Sequence, residues 1–179
     1  MKNLYLLSLL LLNLLNSPLM AQTPQNPVVP SFGGIYEIPE ASKHPDPGID
    51  YNMVIDVAGG PDDPADLNRS LNNIARTFNL HVLGGVPKEN IKIVAVLHAL
   101  ATPGVLSNES YRKNFGVDNP NDQLIRELTE AGAEIYVCGQ SLIARDFYDD
   151  SLHPDIKVSI SAMTILTEYQ QKGYALLRF

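Results

Sequence analysis

Five short apolar runs punctuate the chain after Tyr51, and stretches with helical spacing lie between them. The runs are Met53–Ala58 (MVIDVA), Ile91–Leu97 (IKIVAVL), Ile135–Cys138 (IYVC), Ile156–Ile160 (IKVSI) and Tyr174–Phe179 (YALLRF). Between the first two, Leu67, Leu71, Ile74 and Phe78 recur at three- and four-residue steps, one face of an amphipathic helix, with Pro64 near its start. Leu124, Ile125, Leu128 and Ala131 mark a second helix closed by Gly132, and Ile165, Leu166 and Tyr169 a third closed by Gly173. Strands joined through helices are parallel, with right-handed crossovers. The near-continuous apolar character of the second and third runs places them in a sheet covered on both faces.

The expected fold is therefore a three-layer α/β/α domain over residues 51–179. Five parallel strands are expected near 51–59, 91–98, 133–138, 156–161 and 174–179. Ile55, Val57, Ile74, Val94, Val96, Ile135, Val137, Ile160 and Leu166 should be buried. Thr102–Gly116, with Tyr111, Arg112 and Lys113, reads as a long connection serving as a lid, an interface or a solvated loop. The last run leaves Tyr174, Leu176 and Leu177 without a later element to cover them, so the N-terminal arm or a second subunit is expected to protect that edge.

Two segments precede the domain. Met1–Ala21 carries Lys2, a leucine-rich stretch, a Ser17-Pro18 break and a small residue at Ala21. This is the pattern of a Sec-type signal peptide cleaved near Ala21-Gln22, and it predicts a periplasmic or secreted protein with no membrane span after cleavage. Residues 22–50 hold Pro24, Pro27, Pro30, Pro39, Pro45 and Pro47, which rule out a continuous helix or a central strand. They read as an extended arm pinned by Phe32, Ile35 and Tyr36.

Composition narrows the function classes. Asp and Glu outnumber Lys and Arg by 20 to 13, a formal charge of −7, which disfavours nucleic acid. The single cysteine excludes a disulfide framework and a Cys-rich zinc site, and no histidines have metal-ligand spacing, so neither metal nor cofactor is expected. Gly59-Gly60-Pro61 lacks the rest of a dinucleotide or phosphate loop. Gly139–Ile143 lacks the second glycine of a nucleophile elbow.

Ligands of open parallel sheets bind beyond the carboxyl ends of the strands. Those ends supply Gly59 and Gly60 after the first run, His98 after the second, and Cys138 with Gly139, Gln140 and Ser141 after the third; Ser161 and Ala162 follow the fourth. A helix beginning at Gln140–Leu142 would favour a thiolate or persulfide on Cys138, and His98 would tune its protonation. The alternatives are a buried inert thiol and a backbone-bonded histidine. His44, His81 and His153 read as solvated.

The segments LNNIARTF, VAVLHALA, LTEAGAEIYVCGQSL and SAMTILTEYQQKGYALLRF together resemble the DsrE/DsrF-like family, most closely its small, often exported branch related to intracellular sulfur oxidation proteins. The resemblance covers about residues 51–179. It implies a flavodoxin-like five-stranded parallel sheet and a homo-oligomer. It also implies a cysteine, here Cys138, that carries sulfur as a persulfide between donor and acceptor proteins or small sulfane-sulfur compounds. His98 matches a histidine usually followed by glycine, but Ala99 follows it here. The alternative is a non-enzymatic oligomeric binding module.

Overall fold

A computed structural model describes residues 22–179; the signal-peptide expectation for Met1–Ala21 lies outside the described residues. The elements are β1 (Tyr51–Val57), α1 (Arg69–Leu83), β2 (Ile91–Leu97), a 3-10 turn (Ala99–Val105), α2 (Asn108–Phe115), α3 (Asp122–Glu130), β3 (Glu134–Cys138), α4 (Gly139–Ala144), β4 (Ile156–Ser159), α5 (Ala162–Gln171) and β5 (Ala175–Arg178). One five-stranded sheet has the order β4-β3-β2-β1-β5, and every pairing is parallel. The five apolar runs are these strands.

Strand alternation divides the core in two. Ile55, Val57, Ile93, Ala95, Leu97, Ile135 and Val137 face α1 and α3, which bring Leu71, Ile74, Phe78, Leu124, Ile125 and Leu128, all fully or nearly fully buried. The opposite face sets Val54, Val94, Val96 and Cys138 against Ala162 and Ile165 of α5, with Leu166 and Tyr169 half-buried beside them. A residue of one parity on each strand thus reaches the thinner layer under α5, which is where the cysteine lies.

Several expectations need correction. Ile160 is 79% exposed, because β4 is an edge strand that ends at Ser159. The helix after β1 begins at Arg69, not near Pro64. Asn68 caps it, its side chain accepting from the N–H groups of Ser70 and Leu71. Thr102–Gly116 is not a loop. The 3-10 turn is followed by α2, capped by the Ser107 side chain on the Ser110 N–H and ended by Gly116 at φ +78°. His153 is fully buried rather than solvated, its N–H donating to Val105 O and its Nδ1 accepting from the Asp155 N–H.

The arm is fastened through one buried side chain. Asn79 Oδ1 accepts from the N–H groups of Val28 and Val29, while its Nδ2 donates to the carbonyls of Phe32 and Gly33. Asn72 takes the Gly33 N–H and Arg76 donates to Gly34 O. Val29 and Ile35 are buried as anchors, whereas Tyr36 is 51% exposed and anchors nothing. The arm therefore lies over α1 instead of covering β5, and Leu176 stays exposed. Among the described residues, no helix is long and apolar enough to cross a membrane, and no three metal-ligating side chains cluster.

Candidate functional site

Parallel register lines up the strand ends. Leu97 pairs with Val137, so His98 and Cys138 follow at neighbouring positions and share the face under α5. Cys138 also pairs with Ser159 on β4, and Asp56 pairs with Arg178 on β5. Asp56 and Arg178 share a row with Val96, and His98, Cys138 and Ser159 follow two residues further along, so the carboxyl edge carries all five across two rows. The chain reverses its direction of strand addition between β1 and β5, the kind of switch point at which open α/β sheets bind ligands.

The imidazole is held by Asp56, not by the thiol. His98 Nε2 lies 2.6 Å from Asp56 Oδ1, and Arg178 Nε lies 3.5 Å from Asp56 Oδ2. Asp56 is a partly buried carboxylate within an otherwise apolar strand, and His98 and Arg178 on its two neighbours offset the cost of placing it there. The His98 N–H continues the sheet by donating to Val57 O.

After His98 the backbone turns sharply. Ala99 adopts φ +49°, the left-handed conformation that glycine enters without penalty. The turn is made with alanine, and it presents the Ala99 N–H to Ser141 Oγ at 3.2 Å. Ser141 thereby ties the end of β2 to the first turn of α4.

Cys138 is the N-cap of α4 and is 4% exposed. Gly139 opens α4, one residue before the expected start at Gln140. A Cβ there would lie 2.8 Å from Ser159 O, so only a residue without one lets the chain leave β3 this close to β4. Ser161 caps α5, its Oγ accepting from the Met163 N–H. Two chain turns therefore converge on one sulfur.

Their effect on the thiol is opposed and unequal. Burial pushes the Cys138 pKa up, but the Ala162 N–H, the Ser141 hydroxyl and N–H, and the Ser161 hydroxyl favour the thiolate, leaving the net value below that of an ordinary thiol. Both serines accept a backbone N–H, which leaves each O–H available to donate to sulfur. The α5 N-terminus adds its positive end.

The remaining expected site residues divide between this centre and another place. Gly139 and Ser141 belong to it, and Gln140 follows on the exposed side of α4. Gly59 and Gly60 instead border a cavity of about 490 Å³ at the N-terminal end of α1, together with Asp66, Asn68 and Ser70. Sequence reasoning passed over Asp56 and Arg178, although a carboxylate inside an apolar strand was a usable signal. It noted Ser161 at a strand end without giving it a role.

The DsrE/DsrF-like family model matches residues 52–179. No curated protein matches the chain. Among solved structures, a protein of unknown function from Methanobacterium thermoautotrophicum, MTH1491, superposes with a TM-score of 0.54 at 22% identity, covering 73% of this chain and 100% of its own. The YchN protein of E. coli gives a TM-score of 0.48 at 17% identity, covering 72% of this chain and 99% of its own.

Proposed function

Since this chain belongs to the DsrE/DsrF-like family, we propose that it is a thiol-dependent sulfur carrier whose Cys138 holds sulfane sulfur as a persulfide. The observation that carries this reading is the set of donors favouring an anion at a nearly buried sulfur. An inert core cysteine needs no such partners. The Cys138 thiolate attacks the outer sulfur of a donor persulfide, R–S–SH. A new bond forms from Sγ to that sulfur, the R–S bond to it breaks, and R–S⁻ departs. The products are Cys138–S–SH and a thiolate, so no oxidant is consumed. His98 is a positioning residue here: held by Asp56 at the neighbouring register position, it adds a polar group beside the reacting edge.

Intact mass of the protein after exposure to inorganic polysulfide tests this. The expected result is an adduct of about +32 Da, one sulfur, absent from Cys138→Ser. An unmodified protein, or an adduct that survives the substitution, overturns the reading.

The near-complete burial of Cys138 favours a second reading, a binding module whose thiol does not react. Its mark would be an unchanged mass together with retained ligand binding in Cys138→Ser. Both readings include export and self-association. Support for export is the Met1–Ala21 pattern, tested by N-terminal sequencing that should begin near Gln22. Support for a homo-oligomer is the exposure of Ile160, Met163 and Leu176, tested by light scattering.

A further inference from the structure

A cavity of about 620 Å³ opens beside Ser141, with no residue of α5 in its lining. It is walled by Ala99, Pro103, Phe115, Ala144 and Phe147, with Ser141 and Arg145 as its polar groups. No acidic side chain borders it, although the chain carries a net charge of −7. Arg145 is half-buried and forms no ion pair among the described residues. By contrast, Arg112 pairs with Asp118, Arg126 with Asp122 and Arg178 with Asp56. A guanidinium left uncommitted in a cavity also lined by aromatic rings is suited to a carboxylate, which it can grip through two N–H groups.

The adjoining cavity, about 350 Å³, shares Pro103, Phe115 and Arg145 but is bordered by the exposed carboxylate of Asp62. An anion is thereby directed to the larger space. There the helix sets the spacing. The Arg145 N–H donates to Ser141 O at 3.1 Å, so Arg145, the C-cap of α4, lies about one turn beyond Ser141, about 6 Å along the axis. The same Ser141 stabilises the Cys138 thiolate. A ligand with its carboxylate on Arg145 therefore places a group two or three carbons away beside Ser141, the cavity residue that also acts on the Cys138 thiol.

We propose that the Ser141–Arg145 cavity binds a low-molecular-weight thiol that bears a carboxylate, and that its persulfide is the sulfur donor to Cys138. This rests on the carrier reading for the transfer step, but not for the binding step. Phe115 and Phe147 line the carbon chain, Arg145 fixes the carboxylate, and the terminal sulfur lies beside Ser141.

The two steps are tested separately. Binding is measured on Cys138→Ser protein by calorimetry or NMR titration, using 3-mercaptopropionate and its uncharged amide. The carboxylate should bind about tenfold or more tightly, and Arg145→Gln should abolish the difference. Equal affinities, or a preference that survives Arg145→Gln, overturn the proposed site. Transfer is measured on the wild-type protein as the rate of persulfidation by 3-mercaptopropionate persulfide against the persulfide of the amide. The same tenfold preference is expected, and its absence overturns the assignment of the donor. Failure of inorganic polysulfide to modify Cys138 would instead remove the carrier reading while the binding result stands. An Arg145→Lys variant guards against a folding artefact: it keeps the charge and should recover part of the preference for the carboxylate.

Discussion

Replacing Ala99 by glycine should make the protein more stable, although it deletes a side chain at the centre of the site. At φ +49° an L-residue pays about 1–2 kcal/mol through its Cβ, and glycine does not. Against this, glycine gives up about 0.5–1 kcal/mol in backbone freedom on folding. The lost methyl is half-buried and removes up to about 0.4 kcal/mol more, half the value of a buried carbon. The balance favours Ala99→Gly by about 0.5 kcal/mol, or about 1–2 °C in Tm for a domain of this size.

The reverse substitution enlarges the signal. Ala99→Val puts a β-branched residue in the same conformation, where it is a genuine outlier, and should lie at least about 1 kcal/mol below wild type. Urea unfolding of the three proteins, read at the transition midpoint with the slope checked for constancy, gives the order directly. The expected order is glycine above alanine above valine. A glycine variant less stable than wild type, or a valine variant equal to it, would refute the claim that this turn is strained.

Three further outcomes are expected. Ser161→Ala and Ser141→Ala each remove a donor from the sulfur, so the pH profile of Cys138 alkylation should move upward and the rate at neutral pH should fall. The sign follows from a lowered folded-state pKa: thiolate stabilisation is gained as pH rises through that value, so these variants lose stability in alkaline solution and not in acid. Gly139→Ala forces a Cβ to 2.8 Å from Ser159 O and should cost about 1–3 kcal/mol, read by thermal unfolding; a neutral effect would deny the close approach. Asn79→Ala strands the buried Val29 N–H with three other arm contacts and should cost about 3 kcal/mol, with limited proteolysis newly cutting within residues 22–35; an uncut arm would show that it is held elsewhere.

The strands were legible because burial on two faces leaves a mark in one dimension: runs such as IKIVAVL admit few other environments. Helix α2 was not, because it buries little beyond Ser110 and Tyr111 and so shows no apolar stripe. Its signals are a serine cap and a terminal glycine, both of which also suit a loop. Ile160 misled for a related reason. Its β-branched character continues the pattern of β4 past the point where the edge strand has any partner. In the site, Cys138 and Ser141 could be read from the end of β3. The partnership of His98 with Asp56 could not, since it depends on β1 and β2 lying side by side, a pairing set by the whole strand order.

On the proposed carrier reading, the geometry around Cys138 also restricts how a sulfur donor can reach it. The α5 cap supplies the Ala162 N–H and the Ser161 hydroxyl, and it packs Ala162 and Ile165 against the face on which the thiol sits. Lifting that cap would expose the sulfur and relieve the burial that opposes its charge, but it would also withdraw two of the groups that favour the thiolate. Approach from the α4 side carries no such penalty. Ser141 there is fixed by Ala99 and borders open space rather than packed core. Moving its hydroxyl aside costs one donor while the α5 donors remain. On that proposed reading, a donor arriving from the cavity that Arg145 borders meets a thiol that keeps its α5 partners, and the turn at Ala99 fixes the Ser141 side chain beside that cavity.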